Sequence, residues 1–310
     1  MAPTHLDALA TAQALPYQAL ATAVHALLSD ACVQVPARLV QALAGGGSLF
    51  VMPAMDDAVA ITKLITYTPA NAGSGRPTIQ GDMLIFDVAT GERRLILDGP
   101  TVTARRTAAV SLLAAQLLAP NTSGPLLIVG AGVQGRAHLE AFAQGFPIGE
   151  VRIASRGAAG AQALAAHARS LGLAASVVDD ANAALADCPL VVTCTPASGV
   201  VLTRAPRDDA FIAAVGAFTP TMVELSPALC RHVAAKGSIW LDAADARHEA
   251  GDLLQAGLPV DRYRTLGEWV RGEASPRSAP QGPRGPVLFK SCGWAGWDLA
   301  AARAATLWAA

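Results

Sequence analysis

Four cations and one glycine-rich turn carry most of the chemistry that this sequence can do. Lys63 stands in the run Val59, Ile61, Lys63, Ile65, Tyr67, whose alternate positions are otherwise apolar or aromatic. A strand places all five on one face. Lysine is rarely enclosed without a partner, so this ammonium is expected to face an anion in a cleft; the plainer alternative is an edge strand whose lysine reaches back to water. Arg105 and Arg106 follow Thr103 at the expected start of a helix. A helix N-terminus carries partial positive charge, and a guanidinium beside it makes a good carboxylate site. Arg38, before Gly45, can supply a fourth cation.

The turn is Leu126-Leu-Ile-Val-Gly-Ala-Gly-Val-Gln-Gly135, a short apolar run ending in Gly130-x-Gly132-x-x-Gly135 and continuing with helical spacing to Phe146. In a strand–turn–helix context the first glycine permits the tight turn. The second lets backbone approach a pyrophosphate, and the third lets helix and strand pack closely. The N–H groups of the new helix, including those of Val133 and Gln134, would hold the pyrophosphate. The next strand should read the adenosine ribose about 20 residues on, where a carboxylate selects NAD. Here it ends Ile153-Ala-Ser-Arg156 with no acid. Ser155 can donate to a 2′-phosphate and Arg156 can pair with it, so NADPH is expected ahead of NADH. Thr195, ending a later apolar run, is grouped with the cofactor residues.

These groups need elements to position them. With 52% hydrophobic and 15% charged residues, the chain suits a helix-rich globular protein of two domains. A net charge of −1 gives no reason to expect nucleic acid or an anionic membrane as partner. There is no apolar run of membrane-spanning length and no basic signal-type start, so a cytoplasmic location is expected. The five cysteines are scattered without CxxC and read as buried free thiols; with six dispersed histidines, no HExxH and no GxSxG, metal and hydrolase chemistry lose their usual support, and no metal is expected.

Residues 19–28 and 36–44 read as short helices, the second ending at Gly45-Gly-Gly47. Residues 57–68 read as a strand, 83–98 as a hairpin turning at 89–92, and 104–118 as a long helix with Thr103 as N-cap. Beyond the glycine turn, strand candidates at 151–155, 176–178, 190–195, 211–215 and 239–242 alternate with helices, notably 159–171 and 244–255. Such alternation predicts an α/β fold with a Rossmann-type, doubly wound parallel sheet. Residues 272–286, rich in Pro, Gly, Ser and Arg, read as a mobile loop or lid. A strand (287–291) and an apolar helix (297–308) close the chain.

Taken in order, Val51-Met-Pro-Ala54, Lys63 with Pro69-x-Asn71, Leu97-Asp-Gly99, Thr103-Ala-Arg-Arg-Thr-Ala-Ala109, the glycine turn, Val223-Glu-Leu225, and Phe289-Lys-Ser-Cys-Gly293 followed by Asp298 resemble the ornithine cyclodeaminase/mu-crystallin family. The resemblance covers nearly the whole chain. Within the family it is nearest the bacterial ketimine reductases that act on Δ1-pyrroline-2-carboxylate and Δ1-piperideine-2-carboxylate. It implies a homodimer with an α+β substrate-binding and dimerisation domain (1–119, completed by 294–310) and an NADP-binding Rossmann domain (120–293). It also implies that Arg38, Lys63 and Arg106 hold a substrate carboxylate beside the nicotinamide. Arg106, rather than Arg105, matches the arginine of the family's Arg-Thr-Ala-Ala motif.

One departure bears on activity. Cyclodeaminases of the family carry an aspartate where this chain has Phe218, in Val215-Gly-Ala-Phe-Thr-Pro220. A phenyl ring neither takes a proton nor orients water, which counts against ornithine deamination; as a substrate-binding residue Phe218 suits a flat apolar ring. The expected activity is reduction of a cyclic imino acid to L-proline or L-pipecolate by hydride transfer from NADPH, with Lys63 as catalytic residue. Two alternatives stay open: another amino-acid dehydrogenase or reductive aminase of the family, and a non-catalytic NADPH-binding protein like mu-crystallin.

Overall fold

Strands that fold back on their neighbours dominate the N-terminal part, and apolar runs too short to be amphipathic helices dominate the middle. The computed structural model describes residues 4–71, 74–196, 198–273 and 285–309. The chain opens with β1 (Thr4–Leu6), α1 (Ala8–Ala14) and α2 (Tyr17–Leu28). It continues through β2 (Leu39–Leu43), β3 (Gly47–Met55), β4 (Val59–Tyr67), β5 (Ile79–Asp87) and β6 (Arg93–Asp98) to the long helix α3 (Gly99–Leu118). Next come β7 (Leu126–Val129), α4 (Val133–Gly145), β8 (Glu150–Ala154), α5 (Ala158–Ser170), β9 (Ala174–Val177), α6 (Ala181–Ala184) and β10 (Leu190–Thr193). Then follow β11 (Ser198–Leu202), β12 (Phe211–Ala214), β13 (Val223–Leu225), α7 (Pro227–Lys236), β14 (Ser238–Leu241), α8 (Ala246–Glu249) and α9 (Gly251–Gln255). Finally β15 (Arg264–Thr265), α10 (Leu266–Val270) and β16 (Val287–Lys290) lead to α11 (Ala295–Ala309). Two compact units result: Met1–Ala109 with Trp294–Ala310, and Val110–Gly293.

The first unit holds a six-stranded sheet in the order β1-β6-β5-β4-β3-β2, antiparallel except for the β1–β6 pair. Its register lines up Met52, Lys63, Met83 and Leu97 as one row across four strands, and all four are buried. Helix α11 packs on α2, β3 and β4. Its first two turns are buried all round, as expected of a helix apolar on every face, and Arg303 pins it through Asp30 (2.6 Å) and Asp56 (2.7 Å). On the sheet's other face, Leu39, Val51 and Leu64 stand side by side, with Leu39 and Leu64 exposed.

The second unit is built on eight parallel strands in the order β15-β14-β16-β12-β10-β7-β8-β9. Every residue of β7, β10, β12 and β16 is buried, the signature of a sheet covered on both faces. The chain runs outward through β8 and β9, then returns to the other side of β7 as β10. That reversal creates a crevice at the carboxyl ends of β7 and β10. This is the Rossmann-type α/β fold.

Several local expectations change. Residues 36–44 are not a helix: β2 pairs antiparallel with β3, and Gly45 and Gly46 adopt positive φ (95° and 87°) to close the hairpin. A short, mostly apolar run supports either period, and pairing decides it. Helix α3 starts at Gly99 rather than after Thr103, because Asp98 Oδ1 accepts from the Thr101 N–H (2.8 Å) and Pro100 suits the first turn. Arg105 and Arg106 therefore lie beyond the first turn, where the helix-end charge is weak. Residues 244–255 form two short helices that break at Ala250 (ψ 72°), and Gly251, which opens the second, lies so near the Met222 carbonyl that a side chain there would run into it. The thiols of Cys188, Cys230 and Cys292 are buried and free, but Cys32 is exposed and Cys194 half-buried. Most of the expected 272–286 loop lies outside the described residues. No helix among the described residues is long and apolar enough to cross a membrane.

Candidate active site

Within the first unit, strand β4 carries Lys63 into its apolar row with no exposed surface. The anion expected opposite it comes from the chain itself. Lys63 Nζ donates to Asp298 Oδ1 (2.9 Å) and lies 2.8 Å from Oδ2, and Asp298 on α11 is equally enclosed. Arg106 Nε donates to the same Oδ1 at 3.2 Å, so one carboxylate carries a lysine from the sheet and an arginine from α3. Burial drives the Lys63 pKa down to about 8; Asp298 opposes this, while Arg106 and Arg38 add to it. Arg38 is half-buried in the segment before β2, not on a helix, and its charge reaches Lys63. The predicted triad thus shares one electrostatic neighbourhood. Arg105 points elsewhere: its Nε donates to the Leu15 carbonyl (2.6 Å) and its guanidinium lies 3.9 Å above the Tyr17 ring.

In the second unit, β7 is followed by Gly130, whose φ of 117° and closeness to Cys194 O (2.7 Å from any Cβ) leave room only for glycine. Its N–H donates to the Ala154 carbonyl at the end of β8 (2.8 Å). At Gly135 a side chain would overlap the Gly130 carbonyl, which fixes α4 close against the strand. Gly132 differs: a Cβ there would meet nothing within 4 Å. It is the N-cap of α4 and gives no side-chain cap to the helix's first N–H groups, and the space beside it is open. Val133 is exposed at that end, and Gln134 Oε1 is enclosed without a hydrogen-bond partner among the described residues. These features fit a dinucleotide pyrophosphate. Ser155 and Arg156 are both exposed just past the end of β8, the neighbour of β7.

Behind the crevice lies a set of buried charges to which sequence reasoning gave no role. Glu224 accepts from Thr193 Oγ1 (2.9 Å), Thr195 N (2.7 Å), Thr195 Oγ1 (2.9 Å) and Gly216 N (2.7 Å). It thereby ties the ends of β10 and β12 together, and it holds the half-buried Thr195. Burial pushes its carboxyl upward, opposed by Lys290. Asp252 in turn accepts from the Glu224 and Leu225 N–H groups and pairs with Lys290 (3.1 Å). Asp242 Oδ2 accepts from Ser291 Oγ and the Cys292 and Gly293 N–H groups, shaping the chain after β16. Phe218 packs partly buried against the apolar core of this unit. The signal that could have found Asp298, Glu224 and Lys290 is a single charge in an otherwise apolar stretch, where a buried polar residue is the informative observation.

An all-parallel sheet whose reversal point carries a strand–glycine turn–helix defines a Rossmann-type nucleotide-binding protein. Residues 9–306 match the model of the ornithine cyclodeaminase/mu-crystallin family, and the chain belongs to that family. It is 40% identical over 303 residues to Δ1-pyrroline-2-carboxylate reductase 2 of Burkholderia ambifaria, covering 96% of this chain and 94% of that protein. Identity is 39%, with the same coverage, to the Δ1-pyrroline-2-carboxylate/Δ1-piperideine-2-carboxylate reductase of Azospirillum brasilense. Among solved structures, an archaeal alanine dehydrogenase dimer with bound NAD is similar with a TM-score of 0.85 at 25% identity, covering 98% of this chain and 94% of that one.

Proposed function

We propose that this protein is an oxidoreductase that reduces a cyclic imino acid, Δ1-pyrroline-2-carboxylate or Δ1-piperideine-2-carboxylate, to L-proline or L-pipecolate with NADPH. The observation that carries the reading is the convergence of Lys63 and Arg106 on one point with Arg38 nearby, an excess of buried positive charge suited to a small carboxylate. The names of the bacterial relatives support the substrate class. When bound, the cofactor supplies the hydride that reaches the imine carbon.

The protein's own residues do the rest. Arg38, Lys63 and Arg106 hold the carboxylate, and positioning of this kind contributes several kcal/mol when reacting atoms are kept near 3–3.5 Å. Hydride addition at carbon must be matched by a proton at the imine nitrogen, and a lysine with a pKa of about 8 can both grip the carboxylate and deliver that proton, solvent supplying the second that makes the product's ammonium. Phe218 stands where cyclodeaminases carry their acid, so ornithine is not a substrate. NADPH is favoured by the exposed pair Ser155 and Arg156 and the absence of a carboxylate there. A homodimer is supported by the exposed Leu39, Leu43 and Leu64 on the first unit's sheet and by the dimeric archaeal relative.

The deciding experiment follows absorbance at 340 nm with each imine and NADPH or NADH, without added amine, beside L-ornithine with NAD. Imine-dependent oxidation that prefers NADPH, with ornithine inert, is the expected result. Turnover only when ammonia or an amine is added would replace this reading with amino-acid dehydrogenation or reductive amination. NADPH binding without any turnover would indicate a binding protein.

A further inference from the structure

We propose that Asp298 is the positioning residue of the carboxylate clamp: from α11 it holds Lys63 of β4 and Arg106 of α3 on one carboxylate, so that both cations stand aligned before a substrate arrives. The inference rests on the reading of Lys63 and Arg106 as that clamp.

The geometry is specific. Lys63 donates to Oδ1 at 2.9 Å and sits 2.8 Å from Oδ2, and Arg106 reaches Oδ1 at 3.2 Å. Arg106 uses Nε for this contact, the nitrogen set back from the terminal fork that grips a carboxylate in two places. Asp298 therefore orients the guanidinium by its stem end. Lys63 otherwise lies among Met52, Met83 and Leu97, its row partners on β3, β5 and β6, none of which is charged. The charges facing it are Asp298 from α11, Arg106 from α3 and Arg38 from the segment before β2. Of these only Asp298 favours the ammonium; the two guanidiniums and burial oppose it. Asp298 thus supports the Lys63 ammonium against burial and the two guanidiniums.

The sequence has only three lysines, Lys63, Lys236 and Lys290. NMR of protein labelled at lysine Cε and Nζ can therefore follow Lys63 directly, with Lys63→Arg assigning its signal. Lys63 should titrate near 8 in the wild type. In Asp298→Asn, which keeps size and shape, it should titrate lower by about one pH unit or more. The alkaline limb of kcat/KM for the imine should move down with it, NADPH affinity should stay within about twofold, and Asp298→Glu should return the limb part of the way. An unmoved Lys63 titration in folded Asp298→Asn would overturn the inference, as would a loss of kcat that is uniform across pH. If Asp298→Asn fails to fold, Asp298→Glu is read alone: its Lys63 titration must differ from the wild type's, and an identical one overturns the inference. The lysine titration needs no turnover, so a failed imine assay sinks the proposed function without touching this result.

Discussion

Gly132→Ala should weaken cofactor binding while leaving stability nearly unchanged, and Gly135→Ala should lower stability. Gly132 has φ −86° and ψ −165°, extended backbone that alanine adopts freely, and its Cβ would meet nothing within 4 Å. The stability change is expected within about 0.5 kcal/mol of zero, as for a surface substitution. If a pyrophosphate sits at the start of α4, the same methyl would stand in the way of the backbone's close approach to it. Displacing it forfeits one or two hydrogen bonds to a charged group, each worth about 1.5–3 kcal/mol, so NADPH affinity should fall at least roughly tenfold. At Gly135 the methyl would overlap the Gly130 carbonyl, a backbone atom held by the β7–α4 junction. Overpacking of that kind costs about 1–3 kcal/mol or more, and for a domain of this size each kcal/mol lowers Tm by roughly 2–4 °C. Thermal melts with and without NADPH, with calorimetric titration, separate the two effects. The reasoning about this turn fails if Gly132→Ala binds NADPH as the wild type does, or melts as low as Gly135→Ala.

The remaining predictions concern charge and assembly. Substrate capture needs the protonated Lys63, whose pKa is lowered by burial to about 8. So kcat/KM should be sustained below that pH and fall above it; a limb staying near the ordinary lysine value would remove Lys63 from the clamp. Arg156→Ala should weaken NADPH about tenfold by loss of a phosphate contact and leave NADH unchanged, and equal losses for both would refute the assignment. Leu64→Asp places a charge in the exposed apolar row Leu39, Val51, Leu64 and should yield a monomer by light scattering. A dimer that survives it must use another surface.

Some of this protein is written locally. The glycine turn is legible because each of its requirements lies within six residues of chain: a positive φ at Gly130, close packing at Gly135 and a helix start at Gly132. Strand β4 is equally legible, and a lysine among apolar alternates announces a buried charge in need of a partner. Other stretches are locally ambiguous. Residues 39–43 have an apolar pattern that either period accommodates, and become a strand because β3 offers a ladder. The start of α3 was set by a carboxylate, Asp98, five residues before the expected cap, Thr103.

The identity of Lys63's partner was decided by the fold alone. Asp298 lies 235 residues away from Lys63 and 192 from Arg106. Nothing in helical or strand periodicity couples positions so far apart. Likewise, Glu224 joins the ends of two parallel strands only because the sheet order brings β10 and β12 side by side. Sequence by itself determined which residues are chemically out of place: a lysine in an apolar strand, and glycines at a tight strand–helix turn. Tertiary structure decided what the lysine meets, because the low dielectric of a packed interior makes an unpaired charge too costly to bury and leaves folding to bring the opposite charge to it.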